Sequence, residues 1–169
     1  MQFEELIRRR YSVRAYKPDP VEDEVLERVL EAARLAPTAA NRQPFGLVVA
    51  RVQGREEELR PVYHREWFLQ APLVVCACGI PAQGWLRRDR KSYLDVDVAI
   101  VMDHLTLAAA DQGLGTCWIA SFDPAAACRA FGLPEGVEPI VLTPLGYPAD
   151  RPGEKERKPL EELIHWERW

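Results

Sequence analysis

Arg10-Tyr11-Ser12-Val13-Arg14 places two guanidiniums and a hydroxyl on alternate positions of one short stretch. Alternate side chains of an extended chain share a face, so Arg10, Ser12 and Arg14 can converge if this stretch runs extended. Forked guanidinium N–H groups match phosphate oxygens, and the trio would then clamp a small anion. The same residues would also serve as a solvated basic helix end that satisfies the helix dipole. Residues 36–45, A-P-T-A-A-N-R-Q-P-F, hold a single charge, Arg42, with neutral hydrogen-bonding groups on Thr38, Asn41 and Gln43. They read either as a proline-rich surface turn or as a rim of donors and acceptors. Lys155-Glu156-Arg157-Lys158 repeats the basic theme near the end, meeting the same anion or standing in solvent. A further run, Arg87, Arg88, Arg90 and Lys91, is an exposed loop or an attraction for a phosphate-bearing cosubstrate.

Other chemistries find no footing. Gly113-Leu114-Gly115 lacks the third glycine of a dinucleotide loop and lies between a helix and a strand, the reverse of the required order. No phosphate-loop motif and no Ser-His-Asp or Cys-His spacing occurs. The four cysteines, Cys76, Cys78, Cys117 and Cys128, sit among apolar or small residues without a C-x-x-C pair, as buried reduced thiols would. No metal site is expected. A formal net charge of −4 argues against general nucleic-acid binding. The opening M-Q-F-E-E-L-I-R-R-R lacks the apolar run of a signal peptide. The most apolar segment, around 98–110, is broken by Asp103 and His104 and is too short to span a bilayer. A cytoplasmic location without membrane partners is expected. The 169 residues fit one domain able to bury roughly 70% of its unfolded surface.

These residues need elements to position them. A short helix over 2–10 gathers Phe3, Leu6 and Ile7 on one face, with glutamates early and arginines late. Residues 11–20 read as extended chain and turn. Val25, Leu26, Val29, Leu30 and Ala33 repeat at helical spacing over 21–35, behind an acidic first turn, and Pro37 disfavours helix at Ala36. Strands are expected at 46–51, 72–79, 116–120 and 139–145. A helix over 95–112, apolar on most faces, belongs in the centre or against a partner, and Gly113 and Gly115 stop it. Asp123 and Pro124 open a short helix as N-cap and first helical residue. Residues 80–94 are the least patterned, and 150–169 read as a polar, charged arm. The alternation indicates α/β or α+β architecture, one sheet covered by helices.

Four stretches now stand in order: R-Y-S-V-R at 10–14, A-P-T-A-A-N-R-Q-P-F at 36–45, G-L-G-T-C-W-I-A-S-F-D at 113–123, and L-G-Y-P-A-D with K-E-R-K-P-L within 145–160. Together they resemble the nitroreductase family of FMN-dependent oxidoreductases, over nearly the whole chain. The resemblance implies an α+β fold with a central, mostly antiparallel sheet flanked by helices. It also implies an intertwined homodimer with two FMN molecules at the interface. By that likeness Arg10, Tyr11, Ser12 and Arg14 form the first FMN motif. Arg10 and Ser12 hold the phosphate and ribityl end, and Arg14 lies near the pyrimidine edge. Pro37, Thr38, Ala39, Asn41 and Gln43 map to the loop that reaches the flavin from the partner subunit. Trp118, Ile119, Ala120 and Ser121 map to a strand end against the ring, with a backbone N–H at flavin N5. Lys155, Arg157 and Lys158 map to the last phosphate contact.

The implied chemistry belongs to the flavin, with binding and tuning left to the protein. NADH or NADPH would pass hydride to N5 and leave. A small electron acceptor, such as a nitroaromatic, a quinone or an activated alkene, would then take its place in a ping-pong cycle. No side-chain nucleophile is expected. The alternatives are a flavin-binding protein for storage or sensing, and a reductive dehalogenase or flavin-modifying member of the same fold. Ala120 and Ser121 stand where many relatives carry glycine, though both are small. Residues 80–94 leave no room for the long helical excursion of larger relatives.

Overall fold

In the computed structural model, which describes residues 2–169, the unbroken apolar run near residue 75 becomes an inner strand, β2 (Leu73–Gly79), every residue of which is buried. It pairs antiparallel with β1 (Phe45–Arg51) on one side and β4 (Glu138–Gly146) on the other, and the short β3 (Gly115–Thr116) completes the order β1-β2-β4-β3. Continuous apolar sequence suits a strand covered on both faces, and the period of two sorts β2 between two cores. Leu73, Val75 and Ala77 join Val141 and Leu145 under two helices, α2 (Asp23–Arg34) and α4 (Leu94–Asp111). Val74, Cys76 and Cys78 join Leu142, Phe68 and Leu59 on the opposite face. That face is covered by α3 (Glu56–Leu59) and α5 (Pro124–Phe131). Three of the cysteines, Cys76, Cys78 and Cys117, are therefore buried core residues, Cys128 on α5 is only half-buried, and none is in a disulfide.

Helix α4 organises the rest. Val98, Val101, Met102 and Leu105 are fully buried along it, each worth roughly 1.5–3 kcal/mol of apolar burial. Gly113, at φ +77°, turns the chain out of the helix, and Leu114 N–H closes on Ala109 O at 2.8 Å. Asp123 caps α5 by accepting from Ala126 N–H at 2.9 Å, ahead of Pro124. The first helix, α1 (Phe3–Arg9), contributes no buried residue and leaves Phe3 and Ile7 in the open.

Two differences from the sequence expectation bear on the site. The strand expected at 116–120 stops at Thr116, because the hydroxyl of Thr143 takes the N–H of Cys117 at 3.1 Å. Only Ile119 rejoins the ladder, exchanging two bonds of 2.9 Å with Leu142. Residues 85–93, expected to be unpatterned, form a tight hairpin turn. Arg87 N–H donates to Lys91 O, Tyr93 N–H donates to Trp85 O, and the Trp85 and Tyr93 rings meet edge to face at 5.2 Å.

Candidate functional site

The segment after α1 adds itself to the free edge of β3. Ser12 bridges Thr116 in parallel, and Val13 N–H donates to Thr116 O at 2.9 Å. Gly115 makes this possible, since a Cβ there would sit 2.6 Å from Val13 Cγ2. Asp150 ties the same segment to the chain's other end. Its carboxylate accepts from Arg14 N–H at 2.7 Å and from the Tyr11 hydroxyl at 3.0 Å. Burial, and then the Asp150 hydrogen bond and charge, push the Tyr11 phenol up to about 12.

The two basic ends meet here. Arg10, Lys155 and Arg157 line one groove of about 720 Å³ with Arg8, Phe3, Ile7, Leu107 and the carboxylate of Asp103. Lys155 Nζ donates to the carbonyls of Ile7, Arg8 and Arg10 at 2.7–2.9 Å, which caps α1 with a cation at its negative end. Its three donors are thus directed at backbone, and its reach to an anion runs through Arg10. Partial desolvation and then the charges of Arg10 and Arg157 hold Lys155 below the ordinary lysine range. Lys158 is exposed in the arm.

Arg10, Ser12 and Arg14 all act on one buried group, the Cys117 thiol. Burial raises the thiol, while Arg14, a hydrogen bond with Ser12 and Arg10 pull it back. The next residue, Trp118, is exposed, as are Ala120 and Ser121, whereas Ile119 turns inward. Trp118 therefore presents an exposed ring one residue after Cys117, on backbone withdrawn from the ladder.

The loop 36–45 is built differently from a plain surface turn. Ala40, Asn41 and Gln43 all have φ of +52°, a left-handed conformation that costs non-glycine residues roughly 1–2 kcal/mol each. Thr38 holds the bend from both of its acceptors: its carbonyl takes Asn41 N–H at 2.9 Å and its hydroxyl takes Gln43 N–H at 3.0 Å. Gln43 Nε2 donates to the carbonyl of Asn41, and the two exposed amides face outward together. Arg42 bonds Gly84 O at 2.8 Å, joining the loop to the 85–93 hairpin. Ala39 N–H donates to Asp97 Oδ1 at 2.8 Å. Pro37 is exposed at the loop's entry.

Within one chain the loop and the cationic groove meet α4 at different levels. The loop is held at Asp97 in the first turn, while the groove touches Asp103 and Leu107, roughly 9–15 Å further along the axis.

A model of the nitroreductase family matches residues 7–67 and 51–147. The chain belongs to the nitroreductase family. Among solved structures, a nitroreductase family protein from Clostridium difficile 630 is 37% identical and superposes with a TM-score of 0.91, covering 100% of both chains. Among related sequences, the FMN reductase [NAD(P)H] of Bacillus subtilis is 30% identical, over 92% of this chain and 70% of its own length. The NADH dehydrogenase of Thermus thermophilus is 29% identical, over 94% of this chain and 92% of its own. The nitroreductase fold is thus the frame in which both the basic ends and the left-handed loop sit.

Sequence reasoning missed three residues that shape these segments: Asp97, Asp150 and Thr143. Each acts on backbone far away in sequence, so local pattern offers little. The one available signal was a carboxylate, Asp97, inside the most apolar helix.

Proposed function

We propose that this chain is an FMN-dependent NAD(P)H oxidoreductase that works as a homodimer, with residues 1–169 forming one flavin-binding domain. The observation that carries the proposal is the meeting of Arg10 and Arg157 in a single groove. The donor set fits the cofactor's two-part chemistry. Guanidiniums suit a phosphate, while an exposed indole and neutral amides suit a planar ring with a mixed donor and acceptor edge. When bound, FMN supplies two-electron chemistry, taking hydride from NADH or NADPH at N5 and handing it to a nitroaromatic, a quinone or an activated alkene.

The chain's own residues bind, orient and tune. Arg10 and Arg157 hold the phosphate, and Lys155 fixes the backbone from which Arg10 projects. Ser12 adds a hydroxyl at the ribityl end. Arg14 brings positive charge to the ring, which favours its electron-rich form. Trp118, Ala120 and Ser121 present a surface to the ring. Pro37, Thr38, Ala39, Asn41 and Gln43 form the second wall, supplied by the other subunit.

Exposed apolar surface supports the dimer. Leu160, Leu163, Ile164, Trp166 and Trp169 stand open on an arm, 151–169, none of whose residues is buried, and Trp166 is 87% exposed. Isolated exposed apolar residues are ordinary, but a cluster this dense marks an interface. Three buried thiols without a disulfide fit a cytoplasmic setting. Among the described residues no helix is long and apolar enough to cross a membrane.

The test is the visible spectrum of the FMN-loaded protein under argon, with NADH and NADPH added in turn. Bleaching by at least one nucleotide, and return of colour on adding a quinone or nitroaromatic, is expected. Bound flavin left unbleached by both would replace the enzyme with a storage or sensing protein.

A further inference from the structure

Asp97 has no role in the chemistry above, and its surroundings are costly for a carboxylate. It is 1% exposed, among the apolar residues of α4. Oδ1 accepts the N–H of Ala39, while Oδ2 is buried with no hydrogen-bond partner among the described residues. Burying a carboxylate costs several kcal/mol unless its oxygens are satisfied. The first turn of α4 offers a modest return through the helix dipole. An apolar residue at this position would serve the core better. The one specific bond the carboxylate makes is to the 36–45 loop.

That loop needs restraint. Left-handed backbone at Ala40, Asn41 and Gln43 is sparsely populated and persists only where surroundings over-determine it. Thr38 closes the bend from inside. Asp97 is the anchor that reaches it from the core, gripping Ala39 N–H immediately before the first left-handed residue.

We propose that Asp97 is a positioning residue. By accepting from Ala39 N–H it holds residues 38–43 in their left-handed shape before ligand arrives, so that the outward amides of Asn41 and Gln43 are preset for the flavin ring. This rests on the reading of the loop as a flavin contact. Pre-organisation of this kind raises affinity by removing an ordering cost at binding.

The test compares Asp97→Ala and Asp97→Asn with wild type, in two measurements. Hydrogen exchange of the apoprotein reads the amides of 38–43 without any cofactor. FMN titration, followed by flavin fluorescence quenching, reads affinity. Asp97→Ala should speed exchange across the loop and weaken FMN about tenfold, the equivalent of one hydrogen bond to a charged group. Asp97→Asn keeps the Oδ1 acceptor and should restore both to within about threefold of wild type, a rescue that a general packing defect would not show. If Asp97→Ala does not fold, Asp97→Leu removes the acceptor while filling the space. Wild-type exchange in Asp97→Ala or Asp97→Leu, or failure of Asp97→Asn to rescue, would overturn the proposal. Asn41→Ala and Gln43→Ala separate the two readings. Weakened FMN in these variants beside an indifferent Asp97→Ala sinks the anchor and leaves the loop contact standing. Wild-type FMN affinity in both sinks the loop contact and the positioning role with it.

Discussion

Tyr11 and Lys155 show how much of this site is assembled by single side chains acting on distant backbone. Tyr11 reaches Asp150, and Lys155 reaches two carbonyls of α1 and that of Arg10 just beyond it, so the two terminal regions are stitched together before any ligand is considered. The Tyr11 tie has a pH signature. Its phenol is raised from 10.0 to about 12 by burial and by Asp150, so folding favours the neutral form. That stability is fully present below pH 10 and is lost as pH climbs from 10 towards 12. Alkaline denaturation followed by circular dichroism should therefore be steeper over that window in wild type than in Tyr11→Phe; identical slopes would remove the tie. At this scale the sequence was partly legible. Arg10, Ser12 and Arg14, grouped by their alternation, all act on the Cys117 thiol. The assignment of Lys155 to an anion was not refined by sequence, because helix capping by a residue some 145 positions away leaves no local mark.

Among the elements, the close approach of the 11–16 segment to β3 depends on a missing side chain. Gly115→Ala would drive a Cβ to 2.6 Å from Val13 Cγ2 and 2.9 Å from its Cβ, and Val13 is buried with nowhere to move. Overpacking of this kind costs about 1–3 kcal/mol. Urea denaturation should show that loss together with weaker FMN binding, since Ser12 rides on the displaced segment; unchanged stability would mean the segment yields freely. Helices α2, α4 and α5 and strands β1, β2 and β4 were readable because each declares itself through periodicity or caps. The region after Thr116 was not. Its residues T-C-W-I-A carry strand propensity, but a tertiary hydrogen bond from Cys117 to Thr143 ends the ladder. The hairpin at 85–93 was equally hidden, since its basic side chains mask a turn held by backbone bonds and the Trp85 and Tyr93 contact.

For the molecule as a whole, the central claim is that the two basic ends of the chain gather around one FMN phosphate while a second copy supplies the loop. The loop and the cationic groove meet α4 at different levels, and the exposed arm at 151–169 has apolar side chains to bury. Native mass spectrometry of the protein titrated with FMN reads both parts at once. The account predicts a species of two 19.2 kDa chains carrying two FMN molecules. In Arg10→Ala/Arg157→Ala the same dimer should persist without FMN. A flavin-loaded monomer, or a double variant that keeps its full complement of FMN, would contradict it.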